Sequence, residues 1–391
     1  MKILTKYRNS NTALMIFFAS LFGYNSIVQS FIPNFFNSVG LSSVEIGVIL
    51  GVSPLIAVVA PSFWGLRADR TKYKNHILQI VIAGFTCCLI VYNFCNLFWF
   101  LLATNMCYVF FQSSLVPLGD TICLEVCEQY NRKYNIARLF ASLAYGSMAL
   151  IGGFLINGNV RLMFVIGFIL GINAFVATGL IPKVKGHQKE TGNKMSLKDL
   201  FKYKYVILIV LYSLIPHISL AFYYTFFPVY IGNELGGGTA LVGIATAFSC
   251  LFEFPFLLFA NKIVPKVGVK RLLIFAGFVF SLRWLLFGLI SLPWLLAILN
   301  GLHGFSAIII IYCTPRIINE NVPPELRATG QTLNGIVMIG ISRVIGNVFG
   351  GMAVDASSIP AVFLAIAAIC FVWVLLFIPV LQKICGKETQ Q

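Results

Sequence analysis

The sequence predicts an all-α polytopic membrane protein, with twelve transmembrane helices in two parallel six-helix repeats. Three observations support this prediction: long apolar runs, basic residues gathered on alternate loops, and a likeness between the two halves of the chain. Of the 391 residues, 59% are hydrophobic and only 10% are charged, a balance at which a soluble protein would aggregate. The lipid bilayer is therefore the first partner that we expect.

The apolar runs have the length that a membrane helix needs. About 20 residues at 1.5 Å each cross the ~30 Å of hydrocarbon in a bilayer. The first run lacks a small-residue cleavage site, which indicates a retained helix and not a signal peptide. The predicted spans are residues 12–35, 42–64, 76–95, 98–127, 136–156, 160–181, 205–231, 238–262, 271–291, 293–317, 329–353 and 359–382.

The basic residues report the orientation of these spans. With the N-terminus inside the cell, 25 of the 28 lysines and arginines fall on cytoplasmic segments. This distribution follows the positive-inside rule, so the net charge of +15 is a topology signal and does not indicate nucleic-acid binding. We expect a multi-pass protein of the cell membrane with both termini in the cytoplasm.

A polar stretch divides the chain into two halves. Residues 182–204 form the only long polar segment, and we interpret them as a cytoplasmic linker between an N-terminal bundle, 1–181, and a C-terminal bundle, 205–391. The sequence "IVIAGF" at 80–85 opens the third span, and "LIFAGF" at 273–278 opens the ninth. Parallel repeats with a substrate site near the midplane are the pattern of a large class of transporters.

A short motif follows the second span. The segment "GLRADRTKYK" at 65–74 resembles the signature of the major facilitator superfamily, and Gly65, Asp69, Arg70 and Lys74 match it. Lys72 stands where the signature has its second glycine, and Tyr73 where it has a basic residue. We assign Gly65, Asp69 and Arg70 to a gate, in which the Asp69 carboxylate pairs with nearby bases.

Ionisable residues within the predicted spans are informative because each costs ~2.5–3.5 kcal/mol on insertion scales. Asp120 lies about 12 Å deep in the fourth span, and the long side chain of Arg138 reaches inward from the start of the fifth. The two can meet near the midplane. Glu125 lies nearer the surface, where we expect an interfacial charge.

The second half places four such groups at a similar depth. Glu253, His303, His217 and Arg283 lie about 13–18 Å from the ends of four different spans. Scattered structural residues would not be expected to share a depth, so these groups predict a polar site at the bilayer centre. Arg343, in the eleventh span, is left open between a structural role and a role in this site.

Several stretches resemble the lactose permease and phenylpropionate permease-like branch of the superfamily. "RLFAS" from Arg138 is similar to the stretch that contains the sugar-site arginine of lactose permease, and Asp120 stands 18 residues earlier, where the permease has its glutamate partner. "AGFVFSLR" at 276–283 aligns Arg283 with the proton-coupling arginine. "LNGLHGF" at 299–305 aligns His303 with the helix-10 histidine.

The resemblance continues elsewhere but is incomplete. Glu253 falls about one turn from the helix-8 glutamate of the permease, and "ELRATGQTL" at 325–333 resembles the segment before helix 11. Ser306 replaces the acid that carries the proton in the permease, and Asn300 replaces a lysine. The proton site of the permease is thus not reproduced intact.

These patterns predict a secondary active transporter that couples a small organic solute to protons. The predicted substrate-binding residues are Asp120, Arg138, His217, Tyr223 and Tyr224, and the predicted proton-coupling residues are Glu253, Arg283 and His303. Sugars, nucleosides and aryl acids all suit such aromatic and charged groups. Alternatives are a receptor derived from a transporter, an uncoupled facilitator and an exporter.

Other classes of function lack their motifs. There is no GxxxxGK[ST] loop, so ATP is not expected to drive transport directly. We find no nucleophile–base or metal-ligand constellation, and we therefore expect neither an enzyme nor a protein with a cofactor or metal. The chain is expected to act as a monomer.

Overall fold

The computed structural model describes residues 11–130, 134–185 and 202–385, and this part of the chain is almost entirely helical. Eleven helices within it are long and apolar enough to cross a membrane. The fifth predicted span corresponds to helix Tyr134–Leu155, whose shorter apolar part is Phe140–Leu155. Most of the predicted linker, residues 186–201, lies outside the described residues. The prediction of an all-helical polytopic membrane protein is confirmed.

The α-helices are numbered here in chain order. They are α1 Asn11–Ser38, α2 Ser43–Val52, α3 Pro54–Arg70, α4 Lys74–Val91, α5 Phe98–Gln112, α6 Leu115–Gln129, α7 Tyr134–Leu155, α8 Leu162–Leu180, α9 Lys204–Val229, α10 Gly238–Val267, α11 Val269–Leu289, α12 Pro293–Leu299, α13 Ala307–Asn321, α14 Pro324–Gly335, α15 Ser342–Val344, α16 Gly350–Ala356 and α17 Ile359–Cys385. A 3₁₀ turn, Asn300–Phe305, joins α12 to α13. π-Helical segments cover Tyr230–Glu234, Ile336–Ile341 and Ile345–Phe349.

Four of the predicted spans are interrupted. The second breaks between α2 and α3, just before Pro54, and the fourth breaks at Ser113 and Ser114. The tenth passes through the 3₁₀ turn, where Gly304 allows the backbone to lie against the backbone of Phe252. The eleventh contains two π-helical segments that flank Arg343. Hydropathy predicts where a span lies, but it does not report these local breaks.

The chain forms two compact units. Of the described residues, the first comprises 11–41, 52–130, 134–185 and 238–244, and the second comprises 42–51, 202–237 and 245–385. In the first unit, α1 packs against α7 and α8, and its inward face carries buried aromatic residues such as Phe17, Tyr24 and Phe35. In the second unit, α11 packs along α17, and α9 packs against α13 and α17.

A proline within a helix leaves one backbone carbonyl without its usual N–H donor, and a side chain from another helix can donate to it. Pro216 has no N–H to donate to the carbonyl of Tyr212, four residues earlier in α9. The indole Nε1–H of Trp373, in α17, donates to that carbonyl at 3.0 Å. A break in the bonding of one helix thereby becomes a contact between two helices of the second unit.

The same arrangement holds α2 in the second unit. Pro54 cannot donate to the carbonyl of Leu50, and the Nδ2 of Asn347 donates to this oxygen at 2.9 Å. At the other end of α2, the backbone N–H groups of Ser43 and Val44 each donate to the Asp355 carboxylate at 3.2 Å. A carboxylate at a helix N-terminus satisfies free N–H groups and complements the helix dipole.

Glycines permit this close contact. A side chain at Gly47 would collide with the backbone carbonyl of Asn347, and one at Gly351 would collide with the carbonyl of Ser43. The backbones of α2 and of the segment that contains Asn347 therefore approach each other directly. Small residues have this role in many helix pairs within membranes.

We predict that Asn347→Leu lowers the free energy of unfolding by about 1–3 kcal/mol, because the partly buried carbonyl of Leu50 loses its donor. Hydrogen exchange followed by mass spectrometry should show faster exchange of the amides of residues 43–50. The matched control is Asn321→Leu, since the Asn321 amide donates within its own helix, to the carbonyl of Ile317 at 2.9 Å. Equal exchange in both variants would contradict the role of Asn347.

Candidate functional site

The predicted gate residues lie at the end of α3, in the first unit. Gly65 faces open space, and Asp69 and Arg70 are exposed. The Nζ of Lys74 lies 3.5 Å from Asp69 Oδ1 and 2.7 Å from Glu125 Oε1. Lys74 is only 4% exposed, so one buried base joins the motif to α6. Glu125, predicted from sequence as an interfacial charge, is therefore a partner of Lys74, a pairing that the sequence pattern does not reveal.

Backbone and amide bonds fix the loop that carries Lys74. The Lys74 N–H donates to the carbonyl of Val184 at 2.9 Å, and Tyr73 and Lys185 form an isolated antiparallel β-bridge. The buried side chain of Asn75 donates to the carbonyl of Pro182 at 3.3 Å and accepts from the N–H of Val184 at 2.9 Å. The chain that leaves α8 is thus attached to the start of α4.

The first unit also contains Asp120. Its Oδ1 accepts a hydrogen bond of 2.8 Å from the Tyr134 hydroxyl, which joins α6 to the start of α7. The side chain of Arg138 lies outside the described part of the structure. The predicted pairing of Asp120 with Arg138 therefore stays a prediction.

A polar cluster occupies the interior of the second unit. It combines three residues that were predicted from sequence: Arg283 of α11, His303 of the 3₁₀ turn and Glu253 of α10. Arg283 is 0% exposed, and its Nη1 lies 3.0 Å from His303 Nδ1. The other ring nitrogen, His303 Nε2, lies 3.2 Å from Glu253 Oε1.

The chemistry of the arginine determines the tautomer of His303. A guanidinium can donate hydrogen bonds but cannot accept them, so Nδ1 of His303 accepts with its lone pair. The ring proton is then on Nε2 and is donated to Glu253. The imidazole is neutral in this arrangement and bridges a buried cation and a carboxylate whose side chain is 26% exposed.

The cluster also contains Asn300, which was not predicted from the sequence to belong to it. Its Oδ1 accepts from Arg283 Nη2 at 2.6 Å and from the Tyr223 hydroxyl at 3.0 Å. Its Nδ2 donates to the carbonyl of Ala245 at 2.7 Å. Its position one helical turn before His303 is the sequence signal for this role, whereas the resemblance to lactose permease indicates only that it replaces a lysine.

Aromatic rings surround the cations of this unit. The guanidinium carbon of Arg283 lies 4.3 Å from the ring centroid of Tyr223 and 4.6 Å from that of Trp284. The guanidinium of Arg343 lies 5.2 Å from the ring of Tyr224, and the two tyrosine rings are 5.1 Å apart. Neighbouring residues of α9 thus contact two arginines, which places Arg343 beside predicted site residues.

His217 lies deeper in α9, seven residues before Tyr224. Its Nδ1 is 2.6 Å from the carbonyl of Ser213, so this nitrogen carries the proton of the neutral ring. The other nitrogen, Nε2, is buried and has no hydrogen-bond partner among the residues that the structure describes. It can accept a hydrogen bond from a hydroxyl or N–H group. The described residues contain no cluster of three or more metal-ligating side chains.

Comparisons with known proteins point to one large group. The model of the MFS_1 like family matches residues 11–365. The chain is 24% identical over 330 residues to a protein of Bacillus subtilis (strain 168) named "Uncharacterized transporter YwbF", and the match covers 83% of this chain and 81% of that protein. It is 23% identical over 352 residues to the maltose permease of Geobacillus stearothermophilus, with 89% of each covered.

Solved structures share the fold at lower identity. The nucleoside transporter NupG superposes with a TM-score of 0.82 at 15% identity, covering 97% of this chain and 99% of that one. A bacterial homolog of the human lysosomal transporter Spinster superposes with a TM-score of 0.68 at 12% identity, covering 97% and 96%. The fold class predicted from sequence is therefore confirmed by proteins of known structure.

We predict that Lys74→Met lowers the free energy of unfolding by about 1–3 kcal/mol, because the Glu125 and Asp69 carboxylates lose their shared base. The cost is smaller than for a fully buried pair since both acids are partly exposed. Thermal denaturation of the purified protein measures the effect. Lys72→Met is the control, since Lys72 is exposed and stacks on Tyr73 at 5.6 Å. A similar loss in the two variants would contradict this assignment.

Proposed function

The chain belongs to the MFS_1 like family, and from this membership we propose that it is a secondary active transporter that moves a small organic solute together with protons. The observation that carries the proposal is the continuous set of contacts from Glu253 through His303 to Arg283. Such a chain joins a partly exposed acid to a buried cation. The resemblance of these residues to the lactose permease branch supports the same assignment.

Glu253 is the proposed proton carrier. It is the carboxylate of the cluster and is partly exposed, whereas His303 is almost fully buried and already accepts from Arg283. A proton on Glu253 removes the negative charge that faces the His303 N–H and, beyond the imidazole, the Arg283 cation. The electrostatic attraction between the Glu253 carboxylate and the Arg283 cation is then lost. We propose that this loss allows the helices to rearrange.

The proposed substrate site includes His217, Tyr223 and Tyr224 of α9. The Nε2 of His217 accepts a hydrogen bond, and the face of Tyr224, which is 38% exposed, can stack on a ring. A hydroxyl-bearing ring compound fits both features. Maltose and nucleosides, named for the permease of Geobacillus stearothermophilus and for NupG, belong to this chemical class. We therefore rank sugars and nucleosides ahead of aryl acids.

The remaining parts of the proposal concern topology and architecture. We propose that both termini are cytoplasmic, that the protein acts as a monomer in the cell membrane, and that bundles 1–181 and 205–391 alternate access around the substrate. The gate of Gly65, Asp69 and Arg70 would close the cytoplasmic side. The positive-inside distribution supports this orientation.

We predict that Glu253→Gln abolishes uphill accumulation of substrate and leaves equilibrium exchange intact. The amide keeps the shape of the side chain but cannot carry a proton, so only the coupled step fails. Uptake driven by a pH gradient and counterflow exchange in proteoliposomes separate the two activities. Glu320→Gln is the control, because Glu320 is an exposed acid that pairs with Arg316 at 2.7 Å.

Two results would contradict this assignment. If Glu253→Gln and His303→Ala both retain uptake driven by a pH gradient, the proton is carried elsewhere, with Asp120 as the next candidate. If neither the wild-type protein nor any variant moves solute while substrate still binds, the receptor alternative is correct.

We also predict that the double variant Asp120→Ala, Arg138→Ala folds but binds no substrate. Removing both members of a buried pair leaves no uncompensated charge, so the effect on stability is small, whereas each single variant loses about 3–5 kcal/mol. Substrate-dependent thermal shifts of the purified protein measure binding and folding together. Unaltered substrate affinity in a well-folded double variant would show that the pair only joins the helices.

A further inference from the structure

Asn300 holds the side chain of Arg283 without neutralising its charge. Its Oδ1 accepts from Arg283 and from Tyr223, its Nδ2 donates to Ala245, and the side chain is 0% exposed. These bonds reach three different helices, α11, α9 and α10. They also fix the amide orientation, because the atom that faces the guanidinium must be the acceptor.

The other contacts of Arg283 are neutral as well. They are the lone pair of His303 and the ring faces of Tyr223, Trp284 and Phe287. Within the described chain, no ion pair joins Arg283 directly to a carboxylate, and its Nε has no hydrogen-bond partner. The nearest acid of the cluster, Glu253, is separated from the guanidinium by the imidazole of His303.

This geometry separates two tasks that a carboxylate would combine. A carboxylate at position 300 would orient the guanidinium and cancel its charge, whereas an amide oxygen only orients it. The cation then remains available to act on Glu253 through the imidazole. We infer that Asn300 is a positioning residue for proton coupling: its neutral oxygen leaves Arg283 charged and holds the guanidinium apart from Glu253, so that the cation and the acid do not form a direct ion pair.

The inference rests on the proposed function in that Glu253 is taken to be the proton carrier. Other charged or titratable groups also face this acid. They are His303 and Arg283, Tyr224 of α9 and Cys250 of its own helix. Arg343 lies over the ring of Tyr224 and is the next charge beyond them. None of these groups is itself replaced when residue 300 alone is changed, and Arg283 is the one that loses a hydrogen bond to Asn300, so a shift caused by the change reports on Arg283.

The test is an infrared titration of the purified wild-type protein and its variants. The carboxylic acid C=O band that Glu253→Gln removes reports the protonation of Glu253. In Asn300→Asp, the new carboxylate takes up the charge of Arg283, and the midpoint of this band is expected to rise by about one pH unit or more. In Asn300→Ala, Arg283 is released toward His303 and Glu253, and the midpoint is expected to fall.

Opposite shifts in the two variants distinguish positioning from a structural role, which gives no reason for a change of sign. Asn334→Asp is the matched control, since Asn334 is buried in the same unit and is not a hydrogen-bond partner of Arg283. In this control variant, the Glu253 band should titrate as in the wild-type protein. Wild-type midpoints in both variants of Asn300, or equal shifts in the control, would overturn the inference. If Asn300→Asp does not fold, an absent or upward shift in Asn300→Ala overturns it.

The titration does not depend on transport and therefore separates this inference from the proposed function. If the midpoints shift in opposite directions but pH-driven uptake does not follow them, Asn300 positions Arg283 and the coupling proposal fails. If Glu253→Gln abolishes coupling but the Asn300 variants do not shift the band, the coupling proposal holds and the assignment of Asn300 is wrong. If transport is coupled to protons through Glu253, pH-driven uptake by the Asn300→Asp variant should persist to higher pH than uptake by the wild-type protein.

Discussion

A backbone carbonyl or amide in the interior of a membrane has no water to bond with, and this constraint governs both the helices and their interruptions. The regular helices satisfy it internally. At Pro54 and Pro216 the internal pattern fails, and side chains from other helices donate to the carbonyls of Leu50 and Tyr212. Contacts between helices therefore form where the local bonding of a helix is incomplete.

The same constraint applies to charge. A guanidinium that is fully buried needs hydrogen-bond acceptors and electron-rich surroundings, and Arg283 obtains them from an amide oxygen, an imidazole nitrogen and aromatic rings. None of these contacts removes the positive charge. The cluster can thus keep a cation in an apolar interior and leave its field to act on a partly exposed acid.

Much of this arrangement could be predicted from the sequence, because hydropathy and the shared depth of ionisable residues are linear properties. They indicated the spans and the association of Glu253, Arg283 and His303. Hydropathy and depth did not predict the role of Asn300, because the membrane-insertion penalty of an uncharged amide does not distinguish it from other polar residues. The pairing of Lys74 with Glu125 was also missed, because the rotation of α6 relative to α4 is determined by packing and not by the apolar pattern.

The bond between Asn347 and Leu50 has a consequence for the evolution of the chain. The two residues are separated by 297 positions, yet the acceptor exists only because residue 54 has no backbone N–H. A change to any other residue at position 54 would let α2 and α3 join into one regular helix, and the carbonyl of Leu50 would then have a donor within that helix. In related chains, the identities at positions 54 and 347 are therefore expected to change together, and neither is expected to drift alone.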